Sequence, residues 1–98
     1  MAEYVRAFTT AESAQEADTL ARSILEARLA AEVHIAGPIR LLRWWEDLVE
    51  ETQEWELTMT TTRERLPALE KHVSKNLHPD GRPKLVSISL TYRDYELP

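Results

Sequence analysis

Residues Glu32 to Thr61 read EVHIAGPIRLLRWWEDLVEETQEWELTMTT, and this stretch decides the fold. From Leu48 onward, Val49, Trp55, Leu57 and Met59 fall on odd positions, while Glu50, Thr52, Glu54, Glu56, Thr58 and Thr60 fall on even ones. Alternation of period two places the two sets on opposite faces of a strand. Thr, Val and Trp also suit a pleated, half-buried surface. Upstream, Val33 and Ile35 oppose Glu32 and His34 until Gly37-Pro38 interrupts. Such a pair inside a strand marks a bulge or bend. The chain resumes with Ile39, Leu41, Arg43 and Trp45 on one face and Arg40, Leu42 and Trp44 on the other, and the turn is expected near Trp45-Glu46-Asp47. The reading is therefore a long hairpin. Near its tip both faces carry large groups, more than one 98-residue chain covers, so the hairpin is expected to pack on another subunit.

Working outward, Tyr4–Phe8 reads as a first strand ended by Thr9-Thr10. Ser13 and Glu16 have the spacing of a capping box, in which each side chain bonds the other's backbone N–H. A helix is expected from there to about Ala31, with Ala17, Leu20, Ala21, Ile24 and Ala27 or Arg28 as its apolar stripe. After the hairpin, Thr61 and Glu64 repeat the capping pattern, with Thr62 as the alternative cap. Leu66, Leu69, Val73 and Leu77 predict a second helix. Pro67 is tolerated only in its first turn. His78-Pro79-Asp80-Gly81-Arg82-Pro83 stops that helix. Lys84–Thr91 is expected to be the last strand, with Val86, Ile88 and Leu90 toward the core; Tyr92–Pro98 reads as a loop or short extra strand. The order strand, helix, strand, strand, helix, strand predicts an α+β, ferredoxin-like βαββαβ sandwich. It would have a four-stranded antiparallel sheet with two helices on one face, as a single domain over residues 1–98.

A chain of 98 residues, 43% hydrophobic and 30% charged, matches an ordinary globular domain. Its net charge of −5 and lack of a basic patch argue against a nucleic-acid partner. Between Trp44 and Thr62 stand six acidic residues and no Lys or Arg: a solvated strand face or a cation-attracting rim. Cysteine is absent, which excludes disulfides and thiolate metal sites. No apolar run approaches a membrane span, and MAEYVRAF lacks a signal-type apolar segment, so no membrane partner is expected and the expected compartment is the cytoplasm.

Glu32 and His34, two apart, share a strand face. With Glu54 or Glu56 on the partner strand they offer a His/carboxylate set for a divalent metal ion; the alternative is an ordinary surface or interface histidine. Arg40 and Arg43 beside Trp45 suit a carboxylate or phosphate ligand, or pairing with the acidic strand across the hairpin. Trp44, Trp45 and Trp55 either line a ligand pocket at a subunit boundary or simply pack. His72 is expected on the solvated side of the second helix, and His78 at that helix's C-terminal end, where a cation is favoured. There is no GxSxG, P-loop or dinucleotide-binding glycine pattern, so an enzymatic nucleophile is not visible and the question of an enzyme stays open.

In order and spacing the chain resembles the CutA, or divalent cation tolerance, family. Leu29–Ile35 (LAAEVHI) is similar to the family's LAACVNI, and Trp45 to the Trp of I-x-S-I-Y-x-W. Glu54, Leu57 and Thr61 fit E-x-x-L-x-x-K-T, and His78-Pro79 with Pro83 fits HPYExPE. Departures are concentrated in polar positions. The family's Cys is Glu32, its Ser is Leu41, its Tyr is Arg43, the Gly after its Trp is Asp47, and its Lys is Thr60. In HPYExPE, Asp80, Gly81 and Lys84 replace Tyr and both Glu. The chain also stops short of the family's closing Y-L-x-W helix, of which Tyr95 and Leu97 resemble a remnant. The resemblance implies a homotrimer with hairpins pairing between subunits, and a divalent cation role. It also implies a functional role for His78, which joins Glu32 and His34 as candidate metal ligands, while Arg40, Arg43, Trp45 and Glu54 are the candidates for a ligand cleft between subunits. Because fold outlasts function, two other expectations stand beside it. One is an enzyme or small-molecule binder with a rebuilt cleft; the other is a structural or signalling trimer that binds another protein.

Overall fold

The computed structural model describes residues 4–76 and 86–89. The elements are β1 (Tyr4–Ala11), α1 (Ala14–Glu26), β2 (Glu32–Trp45), β3 (Leu48–Thr62), α2 (Leu66–Asn76) and β4 (Val86–Ser89). Three long strands in the order β2-β3-β1 form the antiparallel body of the sheet, and β4 extends it along β1 by four residues. The fourth strand, expected over Lys84–Thr91, is seen in part. The described part is Val86–Ser89 alone, and the rest, with the tail Tyr92–Pro98, lies outside the described residues. The architecture is α+β with the ferredoxin-like strand order.

Strand pleating decides where the core sits. Val5, Ala7, Thr9 and Ala11 stand opposite Thr61, Met59, Leu57 and Trp55, and these positions form the face on which the helices lie. Ala17, Leu20, Ala21 and Ile24 of α1 and Leu69 and Val73 of α2 join Ala7, Ala11, Leu57 and Met59 in one buried cluster. Each fully buried Leu, Ile, Val or Met contributes about 1.5–3 kcal/mol. The alanines bring α1 close to the sheet. The opposite side, hereafter the open face, carries no helix among the described residues.

Several local expectations are revised. β1 continues past Thr9-Thr10 to Ala11 because it stays paired with β3 as far as Trp55. Ser13 Oγ accepts the Glu16 N–H at 3.0 Å, as a cap should, but Glu16 Oε2 accepts the N–H of Glu12 (3.2 Å) rather than that of Ser13. α1 ends at Glu26, not near Ala31. Arg28 takes a left-handed φ of 58°, and its N–H and that of Leu29 donate to the carbonyls of Leu25 and Ile24. This is the usual terminating pattern of a helix, with arginine where glycine is favoured. It turns Leu29 and Ala30 onto the core edge.

Thr61 does not cap α2. It is a buried β3 residue whose hydroxyl donates to the Leu29 carbonyl at 2.6 Å, tying the strand to the segment after α1. The Arg65 N–H instead bonds Thr62, the alternative cap, through its carbonyl (3.1 Å) and hydroxyl (3.3 Å), one turn ahead of the helix. His72 is half-buried rather than solvated. Its Nε2 lies 2.9 Å from Ser23 Oγ where α1 and α2 cross, and Ser23 Oγ also bonds the Leu20 carbonyl at 2.9 Å. Finally, β4 runs antiparallel along β1, with Val86, Ser87, Ile88 and Ser89 opposite Phe8, Ala7, Arg6 and Val5.

Candidate functional site: the open face of the central hairpin

The β2–β3 hairpin closes through Glu46 and Asp47, with φ of 45° and 68°, between the paired Trp45 and Leu48. Positive φ at both positions is the two-residue turn that matches strand twist. Toward the base, Ala36 pairs with Glu56 but Ile39 pairs with Glu54, so β2 holds one residue more than β3 across this step. The bulge falls at Gly37-Pro38, whose peptide is cis. A glycine is required there by space: a Cβ on Gly37 would stand 2.6 Å from Trp55 Cγ and 2.8 Å from Trp55 Nε1. The indole covers the bulge and packs against the core edge.

The extra residue switches parity. Before the bulge, Glu32, His34 and Ala36 stand opposite Thr60, Thr58 and Glu56 on the open face. After it, Ile39, Leu41, Arg43 and Trp45 do so, opposite Glu54, Thr52, Glu50 and Leu48. Glu32 and His34 are thereby aligned with Arg43, Trp45 and Glu54. Arg40, Leu42 and Trp44 are sent to the other side, beyond the helices. The three tryptophans are separated: Trp55 on the helix side, Trp44 and Trp45 on opposite faces of the tip.

His34 Nε2 lies 3.4 Å from Glu32 Oε1, and both side chains are more than half exposed. The Thr60 hydroxyl donates to the same carboxylate oxygen at 3.4 Å. One nitrogen and one oxygen donor suit zinc or copper, but two donors are short of a coordination set. Glu56 stands one open-face step from the position across from His34, and Glu54 lies a further step away past the bulge. Among the described residues no group of three or more His, Asp or Glu side chains is gathered closely enough to hold a metal. His78 lies outside the described residues. The structure therefore brings Glu32 and His34 together, without a third donor among the described residues.

Both arginines pair across the hairpin. Arg40 Nη2 meets Glu51 Oε1 at 2.6 Å on the solvent side, and Arg43 Nη2 meets Glu50 Oε1 at 3.5 Å on the open face. Of the expected cleft, Arg43, Trp45 and Glu54 share a face, and Arg40 does not. Arg43 is about one-third exposed, and its Nε is shielded from water with no hydrogen-bond acceptor among the described residues. Glu50 and Thr60 pair with Arg43 and Glu32 on the same face; the cross-strand register is the signal that finds these contacts. The tip remains bare: Trp44 is 74% exposed, Leu48 73% and Trp45 57%.

A sheet with one face bare among the described residues, an edge hairpin projecting from it and an acidic β3 define a small α+β protein. Comparison with known proteins gives the family. The profile described as "CutA1 divalent ion tolerance protein" matches residues 5–96. The divalent-cation tolerance protein CutA of Thermus thermophilus is 36% identical over 81 residues, 83% of this chain and 78% of that protein. Among solved structures, CutA from Synechococcus elongatus superposes with a TM-score of 0.82 at 30% identity, covering 97% of this chain and 88% of the other. A protein of Archaeoglobus fulgidus, described as periplasmic divalent cation tolerance protein CutA, gives 0.78 at 30% identity, covering 89% and 83%. The chain belongs to the CutA1 divalent ion tolerance family.

Proposed function

We propose that this protein is a homotrimer that binds a divalent cation at its subunit boundaries. Glu32 and His34 of each copy supply the donors, and His78 joins them. The observation that carries the reading is the open face itself. It places the Glu32–His34 pair on the same uncovered surface as the apolar tip groups Trp45 and Leu48. No described element covers that surface, and a neighbouring copy is the natural cover. Its shape agrees: the radius of gyration is 15.1 Å, against about 12.5 Å for a compact domain of this length. The printed names of the relatives, which speak of divalent cation tolerance, agree with the ligand class.

Native mass spectrometry of the untagged protein, with and without copper, zinc and manganese, tests the reading. A trimer that takes up metal in a fixed ratio, lost in Glu32→Gln and His34→Gln, supports it. A trimer that takes up none at micromolar metal removes the cation part. An organic adduct on the metal-free trimer would favour a small molecule at Arg43, Trp45 and Glu54. Among the described residues no helix is long and apolar enough to cross a membrane. Cell fractionation decides between the cytoplasm, expected from the sequence, and the periplasm, named for the A. fulgidus relative.

A further inference from the structure

The charges of the open face do not close within one chain. Near the tip, Arg43 gives only Nη2 to Glu50, at 3.5 Å, and its Nε–H finds no acceptor among the described residues. At the middle of β3, Glu54 and Glu56 are half-buried carboxylates of the same face with no ion-pair partner among the described residues. They cannot meet Arg43 internally. Glu54 is four residues beyond Glu50 along an extended strand, about 14 Å at the rise of a β-strand, and Glu56 is farther still. A guanidinium with an unused edge is matched in shape and charge to a carboxylate. Arg43 lies toward the tip and the half-buried, unpaired Glu54 and Glu56 lie at the middle of β3, so a second copy that lays its hairpin tip against the middle of this strand pairs them. Repeated head to tail with a rotation that closes, such a contact forms a ring.

We propose that Arg43 of each copy forms an ion pair with Glu54 and Glu56 of the next, around the ring of the homotrimer. This rests on the trimeric reading above. Arg43, which stands where the family pattern has tyrosine, is then an assembly residue of this chain, and the acidic middle of β3 is its receptor.

A mutant cycle on assembly tests the pairing. Sedimentation equilibrium is run on the wild type, Arg43→Gln, Glu54→Gln with Glu56→Gln, and all three changes together, at low and high salt. Far-UV circular dichroism confirms that each variant keeps its sheet. Arg43→Lys is included as a variant that keeps the charge without the fork. The pairing predicts that Arg43→Gln and the double Glu variant each raise the dissociation constant about tenfold or more at low salt. Arg43→Lys falls between, the salt dependence flattens, and the combined variant is little worse than either parent. Arg43→Gln with wild-type assembly and salt dependence overturns the proposal, as do effects that simply multiply in the combined variant. A wild type that is already monomeric overturns the trimer itself and is read separately from the variants.

Discussion

Gly37→Ala is the sharpest probe of the bulge that organises the site. Two effects oppose each other. Alanine lowers the entropy of the unfolded chain and by that route stabilises by about 0.4–1 kcal/mol. Against this, the new methyl would lie 2.6 Å from Trp55 Cγ and 2.8 Å from Nε1, roughly 1 Å inside ordinary carbon contact. The indole cannot step aside freely, because it packs against the core edge beside β1. Overpacking of this kind costs about 1–3 kcal/mol. The steric term wins, and the net expectation is a loss of about 1–2 kcal/mol. Urea unfolding at equal subunit concentration measures it, since association alters apparent stability. Trp55→Leu in the same chain should recover part of the loss, because the two changes share one space. A Gly37→Ala chain as stable as the wild type, or more so, would refute the close-approach argument and the reason given for the glycine.

Other consequences are local. Arg28→Gly should stabilise by about 1 kcal/mol, because φ of 58° strains any residue with a Cβ; thermal unfolding of the variant shows it as a raised midpoint. Thr61→Val keeps the shape but removes the 2.6 Å bond to the Leu29 carbonyl, and a loss of about 1–3 kcal/mol is expected in urea. Ser13→Ala should cost about 1 kcal/mol through the lost cap on the Glu16 N–H, with amide exchange accelerated first at the start of α1.

The hairpin was legible because alternation in β3 is nearly uninterrupted and Gly37-Pro38 marks the bulge openly. The stripe Ala17, Leu20, Ala21 and Ile24 likewise announced α1. What escaped the sequence depended on partners distant along the chain. The end of α1 is set by Arg28 adopting a conformation for which arginine carries no signal. Thr61 resembles a cap until its hydroxyl is seen to reach Leu29, and His72 resembles a surface residue until Ser23 arrives from the other helix. Glu32, His34, Arg43, Trp45 and Glu54 stood out in the sequence as candidates; only the parity switch shows that they share a face and that Arg40 leaves it.

If copies of the same chain cover the open face and hairpin tip, sedimentation equilibrium of the wild type over nanomolar to micromolar concentrations finds a single species of three subunits, with Trp44 and Trp45 shielded from an aqueous quencher. A monomer with both indoles open to the quencher would show that no copy covers them.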